Sequence, residues 1–262
     1  MMIRTAMDHS NYLQSAWAHT GAELVAINLP GPEVELLPGV VWGRAEDLLT
    51  AAFWKYQVQM QREAERYTQF KLGRSLLEEV AVCLLGGYGM PAELGLAAFE
   101  RLKSGCLLDG RASPEAIEDA LSEPFLVTGK ARKYRFIRQK SRYLSAALSS
   151  LASRDVPKEA VALRDHLTSM NGIGPKTASW IVRNHLGSDD IAILDVHIIR
   201  AGKHMGIYDG SADPNRHYYL MESKFLEFCT AIEEPASLVD AIMWDYMRRL
   251  GRVARISEEV VH

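Results

Sequence analysis

The spacing of apolar residues constrains the fold most strongly, because helical periodicity recurs along most of the 262-residue chain. Apolar side chains that return every three to four residues predict an amphipathic helix with one face turned to a core. The pattern is present in nine segments: 75–85, 92–103, 114–122, 136–152, 158–170, 175–186, 196–206, 218–232 and 236–251. The chain is therefore predicted to be mostly α.

Signals at the segment ends support this interpretation. Helix starts are indicated at Ser113–Pro114 and Asp155–Pro157, where a capping side chain precedes a proline, and a helix end is indicated at Gly187. Strand signals are weak, and only segment 22–43, with its proline and glycine residues, is expected to hold a short extended element.

Composition places the chain among ordinary globular proteins, with 48% hydrophobic and 24% charged residues. No apolar run approaches the ~18 residues of a membrane span, and the N-terminus lacks the pattern of a signal peptide, so we expect a cytoplasmic protein. Cys83, Cys106 and Cys229 form no CxxC pair. This argues against a disulfide framework, a zinc site or an iron–sulfur cluster, and no cofactor is predicted.

Two basic clusters stand out on a chain whose formal net charge is −3. The first comprises Lys130, Arg132, Lys133, Arg135, Arg138, Lys140 and Arg142, and the second comprises Arg248, Arg249, Arg252 and Arg255. Such clusters are typical of a phosphate-binding surface, but also of a solvated helix face, and both interpretations remain open.

The sequence NGIG, residues 171–174, joins two predicted helices and is followed by Pro175. Glycine permits positive φ and leaves the amide groups accessible, while proline suits the first position of a helix. The resulting helix N-terminus is a natural seat for a phosphate, held without regard to base sequence. An ordinary tight turn between two helices is the alternative.

Lys176 stands in the first turn of the helix that follows, where it would serve either as a phosphate contact or as a nucleophile. The nucleophilic role requires an apolar or cationic pocket that removes its proton. Asp195, nineteen residues later, precedes a helix as an N-cap would, and a carboxylate there could also stabilise a cationic sugar or move protons. For His197 a phosphate contact and a surface position remain equally open.

These residues resemble the helix-hairpin-helix DNA glycosylases of base-excision repair, and among them the lysine-bearing 8-oxoguanine DNA glycosylases. The resemblance rests on Gly-Ile-Gly-Pro-Lys followed by Asp-Val-His, and it extends from about residue 75 to 255, including segments 134–144 and 238–252. It implies two helical lobes flanking a DNA-binding cleft, and a glycosylase core at 75–262 with its hairpin at 170–176. Residues 1–74 match nothing in the family and are expected to pack on the C-terminal lobe.

The resemblance also implies roles for individual residues. Lys176 would attack the sugar C1′ and form a Schiff base, after which β-elimination nicks the strand, and Asp195 would assist departure of the base. Backbone phosphates would be held by Gly172, Ile173 and Gly174 and by His197. Candidates for the base pocket are Trp180, one helical turn after the lysine, with Trp244 and Asp240 on the late helix. A core position for Trp180 remains the alternative.

The implied partner is double-stranded DNA containing a damaged base, bound by a monomer that needs no cofactor, no metal and no membrane. The chain lacks the four spaced cysteines of iron–sulfur relatives, and its lysine distinguishes it from monofunctional alkyl-purine relatives. The β-rich N-terminal domain of the eukaryotic enzymes is not evident. The glycine-rich segment 84–91 is interpreted as a helix terminator rather than a ligand loop.

Two other functions remain open. The N-terminal segment could adapt the pocket to another modified purine or nucleotide, since members of this fold also occur in bacterial antiviral defence operons. A non-catalytic DNA-binding module is the second alternative, because helix-hairpin-helix units often only hold DNA.

Overall fold

Helices carry most of the fold in the computed structural model, which describes residues 13–20, 23–62, 71–87 and 89–251. Within those ranges there are ten helices: α1 Ala51–Arg62, α2 Leu76–Leu85, α3 Ala92–Ser104, α4 Pro114–Ser122, α5 Ile137–Ser153, α6 Ala160–Thr168, α7 Pro175–Leu186, α8 Val196–Met205, α9 Pro214–Ala231 and α10 Ala236–Leu250. The prediction of a mostly α chain is confirmed. No helix among the described residues is long and apolar enough to cross a membrane.

The described strands form three antiparallel two-stranded hairpins. Their members are β1 Leu13–Thr20 with β2 Glu23–Pro30, β3 Glu35–Leu37 with β4 Val40–Val41, and β5 Phe125–Val127 with β6 Lys130–Arg132. More extended structure is therefore present than the single short element expected in segment 22–43, because that segment holds β2, β3 and β4 and is preceded by β1. The hairpin β5–β6 was not predicted, because its three-residue strands lie at the start of a basic cluster and carry no alternating pattern.

Two of the helix boundaries that the sequence indicated are confirmed. The side chain of Ser113 accepts a hydrogen bond from the backbone of Ala116 and begins α4, as predicted, and Gly187 ends α7 with φ +65°. The helix start predicted at Asp155–Pro157 was wrong, since α6 begins at Ala160. Val156 packs against the core before the helix starts, and Glu159, whose backbone is extended, is the N-cap of α6.

The helix α1 escaped prediction because a continuous apolar run at its start obscures its helical period. Six residues of α1 are buried. Four of them form a continuous apolar run, residues 51–54, and the other two are the polar residue Gln57 and Val58. A continuous apolar run does not distinguish helix from strand.

The chain divides into two compact units. Unit 1 draws its described residues from Met1–Gln69 and Leu194–His262, and unit 2 draws its residues from Phe70–Ile193. In unit 1, α10 packs against α1, α8 and α9, and α1 also contacts β1. The rings of Phe53, Trp54 and Tyr246 meet edge to face, with centroids 5.0–6.0 Å apart, and join α1 to α10.

Unit 2 is built around α2, which packs against α3, α5 and α7. The pairs α4–α5 and α6–α7 complete the bundle. Its core is continuous and includes Leu84, Phe99, Leu144, Leu167 and Ile181. The short connection between α6 and α7 is the predicted hairpin, so this core fixes the position of the hairpin.

Candidate functional site

Ile173 anchors the hairpin between α6 and α7 in the core of unit 2. Its side chain is only 3% exposed and belongs to the core of unit 2, and its N–H donates to the Met170 carbonyl at 3.1 Å. The Ile173 amide is therefore engaged in the turn. Of its glycine neighbours, Gly172 has φ +88° and Gly174 is the N-cap of α7. Phosphate binding by the three residues of this turn stays a prediction.

Pro175 occupies the first turn of α7, as predicted, and Lys176 follows it at a half-buried position. The first backbone N–H groups of a helix have no partner within that helix, so this end of α7 presents donors and a positive dipole end. Lys176 therefore lies in the first turn of a helix whose N-terminus can bind an anion, as the sequence predicted.

Beside the hairpin lies a cavity of about 270 Å³, lined by residues that include Gly86, Gly172 and Thr177. Lys140 also lines it, and its ammonium donates to the Leu84 carbonyl at 2.5 Å. Burial lowers the pKa of Lys140. The sequence placed Lys140 only in a basic cluster, and no local signal distinguishes this half-buried lysine from its exposed neighbours.

Trp180 lies one turn beyond Lys176 and is half-buried against the core of unit 2. Its Cη2 atom would lie 3.4 Å from a Cβ at Gly86, the residue that caps the C-terminus of α2. Helix α2 thus ends within segment 84–91, as predicted. The packing of Trp180 against the core is observed, and its stacking on a purine stays a prediction.

Asp195 is the N-cap of α8, as its position in the sequence predicted. One carboxylate oxygen accepts the N–H groups of His197 at 2.8 Å and of Ile198 at 3.1 Å. The second oxygen makes neither of these two bonds. The cap thus uses one oxygen of the carboxylate, and catalytic participation of the other stays a prediction.

Unit 1 also brings together the remaining candidates on α8 and α10. The ring of His197 meets that of Trp244 edge to face with centroids 6.4 Å apart, and the Arg248 guanidinium lies 4.9 Å from the Trp244 ring centroid. Trp244 is 42% exposed, whereas Asp240 is buried at 2%. Trp244 therefore offers an accessible aromatic face beside one guanidinium group, as a stacking partner would.

The predicted site residues fall into two groups by unit. Unit 2 holds the hairpin glycines, Lys176 and Trp180, whereas unit 1 holds Asp195, His197, Asp240 and Trp244. Arg252 and Arg255 of the second basic cluster lie outside the described residues, as does Tyr88 of the glycine-rich segment.

Two helices joined by a short glycine turn, with a lysine in the first turn of the second helix, define a helix-hairpin-helix protein. Residues 60–234 match the family model described as 8-oxoguanine DNA glycosylase. The chain belongs to this family, which confirms the resemblance seen in the sequence.

The chain is also similar to individual proteins and shares its fold with several solved structures. An 8-oxoguanine DNA glycosylase/AP lyase of Metallosphaera sedula is 28% identical over 204 residues, which cover 74% of this chain and 94% of that protein. Among solved structures, the 8-oxoguanine DNA glycosylase of Methanocaldococcus jannaschii aligns with a TM-score of 0.58 at 23% identity, covering 75% of this chain and 93% of that one. The Thermotoga maritima enzyme aligns with a TM-score of 0.53 at 22% identity, covering 73% and 94%. A trapped endonuclease III–DNA covalent intermediate aligns with a TM-score of 0.55 at 19% identity, covering 75% and 85%.

Proposed function

We propose that the protein is a bifunctional DNA glycosylase and AP lyase that excises 8-oxoguanine from duplex DNA. The observation that carries this proposal is the position of Lys176 in the first turn of α7, directly after the hairpin of Gly172 and Gly174. Membership of the 8-oxoguanine DNA glycosylase family and the name of the Metallosphaera sedula relative support the substrate and the coupled lyase step.

In this mechanism the hairpin and the start of α7 hold a backbone phosphate, which brings the neighbouring deoxyribose to Lys176. The Lys176 amine attacks C1′ and loses a proton, while the N-glycosidic bond breaks and its electron pair leaves with the base. Asp195 stabilises the cationic sugar while the base departs. The C1′–O4′ bond of the resulting aminal then breaks, which opens the sugar ring and gives the Schiff base. Loss of a proton from C2′ of this Schiff base expels the 3′ phosphate and nicks the strand.

Borohydride trapping tests this proposal, because reduction of the Schiff base joins protein and DNA permanently. The wild type should give an adduct with a duplex carrying 8-oxoguanine opposite cytosine, and Lys176→Gln should give none. Lys158→Gln removes an exposed lysine of the same unit and serves as the matched control, with an undiminished adduct expected. Absence of an adduct from a folded wild type that binds the duplex would remove 8-oxoguanine as the substrate.

A second candidate substrate is another modified purine, in DNA or as a nucleotide. The family match begins at residue 60, so the hairpins β1–β2 and β3–β4 come from sequence outside it. A panel of modified duplexes and nucleosides, assayed for base release, separates the two substrates. Duplex binding by both the wild type and Lys176→Gln, with neither base release nor a trapped adduct from either protein, would instead support a non-catalytic DNA-binding module.

A further inference from the structure

The hairpin β5–β6 is fixed to unit 2 at the start of β5. Phe125 is 2% exposed, and the Arg101 guanidinium carbon lies 3.5 Å from the centroid of its ring. The same guanidinium donates to the carbonyl oxygens of Ala120 at 3.0 Å, Glu123 at 2.6 Å and Pro124 at 2.8 Å. Arg101 of α3 therefore fixes the position of the segment that leads into the hairpin β5–β6.

The end of the hairpin is fixed as well. Tyr134, two residues after β6, is 3% exposed and donates its hydroxyl to the Leu85 carbonyl at 2.6 Å. Its ring meets that of Phe125 edge to face, with centroids 6.3 Å apart. Both strands are thus anchored in the core, so the hairpin projects from a rigid base.

The tip of the hairpin is a two-residue turn. Thr128 has φ +50° and Gly129 has φ +74°, the positive values that a type I′ turn requires. A β-branched residue adopts positive φ only under strain. The Thr128 hydroxyl donates to the Val127 carbonyl at 2.8 Å, which helps to hold the turn. The anchored base and the two-residue turn together define the direction in which the tip projects.

The surface of the hairpin is apolar at its centre and cationic around it. Leu126 is 79% exposed and pairs across the strands with Ala131, which is also exposed. Lys130, Arg132 and Lys133 are exposed beside them, and none of the three forms an ion pair with another residue in the described ranges.

The charge around the hairpin has a single sign over a long stretch of sequence. No aspartate or glutamate occurs between Glu123 and Asp155, whereas the chain as a whole has a net charge of −3. Within this stretch, Arg138 is paired with Glu118 at 3.3 Å. The cations of the hairpin are therefore available to an anionic partner.

We propose that the hairpin β5–β6 is a second contact surface for duplex DNA, in addition to the hairpin between α6 and α7. Lys130 and Arg132 bind backbone phosphates, and Leu126 packs against sugars of the minor groove. Many proteins that bind the minor groove combine cationic side chains with an apolar side chain that enters the groove. The rigid base reduces the entropy lost on binding. This inference rests on the proposed function in that duplex DNA is the partner.

A matched pair of double variants tests the proposal. Lys130→Gln/Arg132→Gln removes two charges from the hairpin, and Arg154→Gln/Lys158→Gln removes two exposed charges beyond the C-terminal end of α5. The hairpin precedes α5, whose 17 residues span about 25 Å, so the two pairs are well separated along the chain. Affinity for an undamaged fluorescent duplex is measured by anisotropy over a range of salt concentrations.

The hairpin variant should reduce the slope of log K against log salt by about 1.8 and weaken binding about tenfold or more at 0.1 M salt, since each phosphate contact contributes about 0.9 to the slope. The control variant should leave the slope unchanged. Leu126→Ala should weaken binding without changing the slope, because it removes no charge.

Equal slopes and affinities for the two double variants would overturn the proposal, and the hairpin would then suit an acidic protein partner. That result would leave the trapping of 8-oxoguanine DNA by Lys176 intact, so the proposed function would stand. A wild type that binds no duplex at all would overturn both proposals. Because the duplex is undamaged, failure of base excision alone would leave the hairpin test valid.

Discussion

The ring of Tyr143 lies directly against Gly172, so that a Cβ at residue 172 would fall 2.1 Å from Cδ2 of the ring. Gly172 also has φ +88°, which side chains rarely adopt. Gly172→Ala should therefore displace Tyr143 and strain the turn, lowering the free energy of unfolding by about 1–3 kcal/mol. Urea denaturation followed by circular dichroism measures this loss, and DNA affinity should fall with it.

Gly174 provides the matched control within the same turn. Its φ of −85° suits alanine, and a Cβ there would meet nothing within 4 Å. Gly174→Ala should therefore change stability by less than about 1 kcal/mol, because the smaller entropy of the unfolded chain offsets the poorer N-cap, while the methyl group obstructs an approaching phosphate. Duplex affinity should fall by more than this small change in stability accounts for. Unchanged affinity would place the phosphate elsewhere.

Features that depend on neighbouring residues could be predicted from the sequence. The start of α7 at Pro175 and the capping of α8 by Asp195 require only a few adjacent residues, and both were predicted correctly. The role of Ile173 could not be predicted in the same way. Its side chain is drawn into a core built from α2, α5 and α7, and this packing fixes a turn in which its amide is engaged.

Long-range packing accounts for the other differences. Lys140 lies 56 residues from Leu84, whose carbonyl it contacts, and no local pattern marks that pairing. The helix α1 is recognisable only once α10 covers its continuous apolar run. The hairpin β5–β6 depends on Arg101, which is 24 residues before Phe125 in the sequence. A single sequence shows helical periodicity and capping residues, but it does not show which distant residues pack together in the fold.

Asp195 combines a structural role with a proposed catalytic one, and two substitutions separate them. Asp195→Asn keeps an oxygen that can accept the N–H groups of His197 and Ile198, so stability should change by less than about 1 kcal/mol. Without a negative charge, the rate of adduct formation should fall about 10²–10⁴-fold. Single-turnover trapping on the 8-oxoguanine duplex measures that rate.

The cap itself is tested by Asp195→Ala, which should lose about 1 kcal/mol of stability as well as the rate. If Asp195→Asn traps DNA at the wild-type rate, capping is the whole role of this carboxylate.

Trp180 is half-buried. Its two proposed roles, packing in the core and stacking on a purine, predict different effects of substitution. Trp180→Phe and Trp180→Leu both remove volume from the core of unit 2 and should destabilise it to a similar extent, by about 1–3 kcal/mol. Only phenylalanine retains a flat face for a purine, and base–aromatic stacking contributes about 1–3 kcal/mol. Base excision should therefore fall about tenfold or more in the leucine variant relative to the phenylalanine variant. Equal activities would identify Trp180 as a core residue alone.

Glu234 joins the N-terminal helix α1 to the connection between α9 and α10 within unit 1. Its side chain is only 1% exposed and pairs with Lys55 at 2.9 Å and with Arg62. Glu234→Gln leaves Lys55, itself 12% exposed, without a countercharge, and should cost about 3–5 kcal/mol. Arg62 is half exposed and remains hydrated, so it adds little to this cost.

The matched control is Glu46→Gln, which makes the same chemical change in an exposed pair with Arg44 and should cost less than about 1 kcal/mol. Glu234→Leu combined with Lys55→Met should recover much of the loss, because apolar replacement of a buried pair removes both desolvated charges. Urea denaturation of the three variants measures these differences. Equal stability of Glu234→Gln and Glu46→Gln would mean that packing of Phe53, Trp54 and Tyr246, rather than the buried charges, holds α1 in place.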